Sequence, residues 1–138
     1  MKNKATRFLL ALALAASIVT TGLITGCGST PQKIAYQGVS TTQITADAAL
    51  DLWGKYVSVQ KAAGRPVPVS QELAVRAAYQ KVQASMLVVC DAGAVWSAGT
   101  NSTNSVALAA AFQVAISNST QSLADLTNLL KTYGVTIP

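Results

Sequence analysis

The chain has 138 residues, ten of them basic and five acidic, and contains no histidine. That removes the commonest general base and metal ligand, and two cysteines, Cys27 and Cys90, offer no spacing for zinc or haem. One glutamate and four aspartates show no pairing suited to acid–base work, and neither a glycine-rich phosphate loop nor a Lys/Arg cluster is present. Composition therefore argues against an enzyme, a metal or cofactor site and a nucleic-acid partner.

The first element in chain order is a leader in three parts. Lys2, Lys4 and Arg7 form a basic start, residues 8 to about 19 an apolar run, and residues 20–26 a small-residue exit. That is the order of a secretory signal peptide, whose positive end stays in the cytosol while the apolar run enters the translocon. A spanning anchor is the competing reading, since residues 8–24, 17 in all, reach the lower end of a spanning length. Thr20, Thr21, Gly22 and Thr25 leave only about 12 strongly apolar residues in a row, so export with removal of residues 1–26 is expected.

The exit closes on Leu23, Ile24, Thr25, Gly26 and Cys27. This stretch resembles the lipobox of bacterial lipoproteins, in which a small residue precedes a cysteine and an aliphatic residue stands third before it. The resemblance covers the leader and Cys27 alone. It implies a diacylglyceryl group with palmitate-type chains on the Cys27 thiol, and cleavage by signal peptidase II between Gly26 and Cys27. Cys27 would then hold the protein to the bilayer of the cell membrane or outer membrane, with the mature domain outside the cytoplasm. Gly28 after the cysteine, in the enterobacterial sorting pattern, would permit transfer to an outer membrane.

Removing the leader takes three basic residues with it. Lys33, Lys55, Lys61, Arg65, Arg76, Lys81 and Lys131 remain against Asp47, Asp51, Glu72, Asp91 and Asp125, seven against five, a formal +2. The sequence pI near 9.5 thus overstates how basic the working protein is. Residues 27–138 suit one small domain with a modest core. With Cys27 acylated, Cys90 stands alone, and its setting after Met86, Leu87, Val88 and Val89 predicts a buried, inert thiol.

Residues 27–41, with Pro31 and Gly38, read as a lipidated N-terminus and a flexible polar tether. Breaks at 64–69 and 99–104 then separate three segments, predicted as helices over 42–63, 70–98 and 105–133. The first places Ala49, Trp53, Tyr56, Val57 and Val59 on one side, with Ile44, Ala48 and Leu52 beside them. Its acids lie early and its lysines late, complementing the helix dipole, and Asp51 with Lys55 forms a favourable i,i+4 pair. Gly64 supplies the C′ residue and Pro66 prevents continuation.

The second segment opens at Ser70 as N-cap and carries a second i,i+4 pair, Glu72 with Arg76. Val75, Tyr79, Val82, Met86, Val89, Gly93 and Trp96 recur at steps of four and three, a heptad seam. From Ala84 onward the helix is apolar around much of its circumference, which predicts burial on more than one side. A sharper reading makes Leu87, Val88, Cys90, Ala94 and Trp96 a face for an envelope protein or a second copy. In the third segment, capped by Ser105, Leu108, Phe112, Ala115, Ser119, Ser122, Leu126, Leu129 and Tyr133 repeat the spacing.

Six-residue connections force sequential helices to run antiparallel, so the expected fold is all-α, an up-down-up three-helix bundle. The functional expectation is a small membrane-anchored envelope lipoprotein acting as a non-catalytic binding or scaffold module. The alternative is a membrane-active factor, of the lysis or superinfection-blocking type, working through amphipathic helices. Low charge and the absence of Lys/Arg-rich polar faces count against it.

Overall fold

Three stretches with apolar residues at alternating steps of four and three become three long helices. The computed structural model describes residues 31–99, 101 and 103–137. They form α1 (Pro31–Ala62), α2 (Val69–Ala98) and α3 (Ser105–Thr132). The leader, Cys27 and residues 28–30 lie outside the described residues. Each helix packs on both others.

Cross-helix pairs fix the directions. Gly93 of α2 sits beside Ala35 of α1 and Phe112 of α3. Further along, Tyr79 bonds Asp47 and Lys81 bonds Asp125. As numbers rise on α1 and α3 they fall on α2, so the bundle is up-down-up. No helix among the described residues is long and apolar enough to cross a membrane.

The first helix begins at Pro31, where the sequence predicts a tether to residue 41. Gly38 costs a helix interior about 1 kcal/mol, which favours a loop on propensity alone. Tertiary packing outweighs it: Ala35 is buried with Val89, Phe112 and Ala115, and Ile34 and Val39 pack against the same cluster.

The ends follow backbone chemistry. Gly64 takes φ +71°, its N–H bonds the Lys61 carbonyl at 3.0 Å, and the Arg65 N–H reaches back to Gln60 at 2.9 Å. This double bond pattern is a Schellman cap. Gly134 repeats it at φ +87°, with Val135 bonded to Leu130 at 3.0 Å and buried in the core. The expected side-chain caps are not used. Pro68, at φ −59° and ψ 139°, precedes α2, and its carbonyl accepts from Gln71 and Glu72, so Ser70 is already helical. Likewise Asn104 precedes α3, accepting the Leu108 N–H at 3.0 Å, and Ser105 is the first helical residue.

The seam predicted for α2 is the buried one: Val75, Val82, Met86, Val89 and Gly93 face inward. The core divides into two clusters. The larger holds Ala46, Ala49, Trp53, Val75, Val82, Met86, Leu126, Leu130 and Val135. There Trp53 stacks on Tyr56 at 5.5 Å between ring centroids and meets Tyr133 at 5.9 Å. The smaller holds Ala35, Val89, Phe112 and Ala115, with Trp96 against Phe112 at 5.2 Å. Ile44 and Val59, expected on the inner side of α1, are exposed because they fall about 180° and 120° from buried Ala35 and Trp53 at 100° per residue.

Candidate functional site

The five residues singled out on α2 separate in the structure. Leu87 is 67% exposed and Val88 54%, and Cys90 and Ala94 are also at the surface. Trp96 is half-buried against Phe112 and belongs to the smaller core cluster. Burial of this part of α2 on several sides is therefore overturned, as is a buried Cys90. The helix has two neighbours, both on the seam side, and Cys90 lies 40° from Met86 toward the outside. Among the described residues Cys90 has no disulfide partner.

The surface extends beyond those five residues, to Val95 within the same stretch and to α3, which sequence reasoning missed. Val95 is 55% exposed, seven residues after Val88 and so on the same outer row. From α3, Val106 is 81% exposed and Val114 58%. These two stand eight apart on the face opposite the buried Phe112 stripe, a spacing that could have exposed them as outward apolar residues. Val88 lines a groove of about 410 Å³ between α2 and α3, facing Ala115 and Asn118. Leu87 sits 100° round the helix from it.

This apolar surface lies at one end of the bundle. Level with it, residues 31–46 and 82–124 contain two charged side chains, Lys33 and Asp91. Residues 47–81 and 125–137, at the other end, contain ten. The described chain begins at the sparsely charged end.

Polar clusters occur where the two ends meet. The Tyr79 hydroxyl and the Gln43 amide both donate to Asp47 Oδ1 at 2.7 Å, and Gln43 also donates to the Tyr79 oxygen at 3.1 Å. Lys81 Nζ donates to Asp125 Oδ2 at 3.1 Å and Gln121 to Oδ1 at 2.8 Å. The Gln121 amide, and then the Lys81 ammonium, hold the Asp125 carboxyl below its ordinary value. Each carboxylate is engaged by donors from two helices, which suits a cross-brace better than proton transfer. The i,i+4 pairs expected at Asp51/Lys55 and Glu72/Arg76 stay open, while Lys81 and Asp125 close across the helices.

A second groove, about 430 Å³, runs between α1 and α2 beside Trp53, Val57, Glu72 and Arg76. Among the described residues no three His, Cys, Asp or Glu side chains gather in a metal-holding group. Comparison with protein families, curated proteins and solved structures gave no match.

Proposed function

We propose that this chain is a small lipoprotein of a bacterial envelope, held to its membrane through acylated Cys27, whose helical bundle is a non-catalytic binding or scaffold module. The observation that carries the reading is the position of Cys27. It ends an apolar leader in a lipobox-like stretch and stands four residues before Pro31, where the described part of α1 starts. An anchor there lies within four residues of the described bundle. Each buried methylene contributes about 0.8 kcal/mol, one chain holds marginally, and a diacylglyceryl group supplies two. The surface to which a partner or a membrane could bind is apolar and outward, at the end nearest that anchor.

Intact-mass measurement of the full-length chain expressed in a bacterium tests this. The expected product has lost residues 1–26 and gained a diacylglyceryl group, and Cys27→Ser lacks the added mass. A wild-type protein with an unmodified Cys27 refutes the reading.

A further inference from the structure

The exposed apolar side chains at the sparsely charged end come from all three helices. Tyr36 of α1 is 76% exposed, Val95 of α2 55% and Val106 of α3 81%. Val95 stands three residues before the end of α2, and Val106 is the second residue of α3. Both therefore sit at the tip of the bundle. Val88 and Val114 continue the apolar surface up the α2–α3 flank, roughly 10–15 Å further at 1.5 Å per residue.

Single exposed apolar residues are ordinary on protein surfaces. A cluster of them around one end, in a region with only Lys33 and Asp91 for charge, is a patch that calls for an occupant. The chain itself limits the choice. Cys27 is four residues from Pro31, a span of at most about 14 Å fully extended. An acyl group on Cys27 therefore brings this tip, and not the charged end, to the bilayer surface. Side chains spread over three helices match a continuous apolar medium better than the single flat face of a second copy.

We propose that the uncharged tip of the bundle, led by Val95 and Val106, docks into the headgroup–hydrocarbon boundary of the bilayer that holds Cys27, with Val88 and Val114 above the docked layer. The inference rests on acylation of Cys27, the reading proposed above. Docking orients the bundle with its charged end outward, leaving that end to face solvent or a partner. With Lys33 and Asp91 of opposite sign, the tip has no formal charge to attract anionic lipid. It should seat equally well on zwitterionic phosphatidylcholine and be insensitive to salt.

The two tryptophans report on the two ends. Trp96 lies at the tip, half-buried, and Trp53 in the larger core cluster toward the charged end. The processed, acylated protein is reconstituted into phosphatidylcholine vesicles whose tails carry bromine, a short-range quencher of tryptophan. Trp53→Phe leaves Trp96 as the sole emitter, and Trp96→Phe leaves Trp53. Circular dichroism checks that each variant, and the exposed pair Val95→Lys with Val106→Lys, is folded.

The expected result is about a twofold or greater loss of Trp96 emission, because insertion to 5–10 Å places the tip among the upper tails. Trp53 emission stays almost unchanged. The lysine pair, added to Trp53→Phe, abolishes the Trp96 quenching while the protein still floats with the vesicles. If Trp96 and Trp53 are quenched equally little in protein that floats, docking is overturned and the anchor stands. A vesicle-bound dimer with unquenched Trp96 also overturns docking, in favour of a second copy on this face. If the wild type is unacylated and does not float, both readings fall together.

Discussion

The two ends of the bundle share one backbone architecture and differ in how they are held together. At the charged end lie six of the nine residues of the larger buried cluster, with the rings of Trp53, Tyr56 and Tyr133 packed together, and ten charged side chains cover them. At the other end, small residues let the helices approach closely around one large ring. Ala35, Gly93 and Ala115 crowd Phe112, and exposed valines stand outside. The contrast teaches that this fold does not need polar dressing along its whole length. The second end keeps its shape by contact at short range and leaves its surface for another use.

The largest expected effect is on that close-packed end. Phe112 is fully buried, so Phe112→Ala should cost about 3–5 kcal/mol, mostly as cavity. Leu126→Ala, at the other end, should cost about 2–5 kcal/mol. Urea midpoints measure both. Hydrogen exchange separates them: Phe112→Ala should release residues 31–40 and 86–98 first, because that end has few other buried contacts. Equal loss of protection at the two ends would mean that the core is one cooperative unit.

Gly93→Ala ranks next. A Cβ built there would lie 2.9 Å from the Ala35 Cβ and 3.2 Å from Phe112. Neither is the tip of a flexible chain, so α1 and α2 must separate. Overpacking of this kind costs about 1–3 kcal/mol, against about 1 kcal/mol gained in helix propensity. Ala35→Gly in the same molecule should recover part of the loss. The same change at Gly38 and Gly54 should act in the opposite sense, since nothing lies within 4 Å of either position and both are in α1. Each alanine there should stabilise by about 0.5–1 kcal/mol. If Gly93→Ala also stabilises, the close approach that defines this end is absent in solution.

These residues show where sequence was informative. The α2 seam from Val75 to Trp96 was legible because a strict period needs only one inward direction. The Gly64 cap was legible because only glycine adopts a positive φ cheaply. The start of α1 was not, since Gly38 signals a loop locally while the contact that overrides it, Ala35 against Gly93, lies 58 positions away. The candidate face was half legible. Leu87 and Val88 were suspect as apolar residues off the seam, but Val106 and Val114 join them only once α3 is folded back beside α2. Trp96 neighbours that face in sequence, whereas its ring has a partner in Phe112.

A smaller effect concerns what the apolar tip does to a bilayer. Docking predicts that the acylated protein leaves dye-loaded phosphatidylcholine vesicles intact. The tip offers a few valines and no cationic amphipathic face of the kind that wedges lipids apart. Dye release that tracks protein density would favour the membrane-active alternative, and the Val95→Lys, Val106→Lys pair would then suppress release together with Trp96 quenching.

The smallest effect lies where the ends meet, at Lys81, Asp125 and Gln121. The folded pKa of Asp125 is depressed below its ordinary 3.8. Its contribution is therefore present above that value and lost as pH falls through the lower, folded one. The urea midpoint should drop slightly more in wild type than in Asp125→Asn as pH falls below the ordinary value of 3.8. The pair is largely exposed, so the difference should be small, and salt should shrink only the Lys81 share. Gln121 is the larger cause of the depression, which fixes an order for the variants. Gln121→Ala should flatten the acid dependence more than Lys81→Met. The reverse order would mean that charge, and not a neutral amide, braces the junction between the charged end and the bare one.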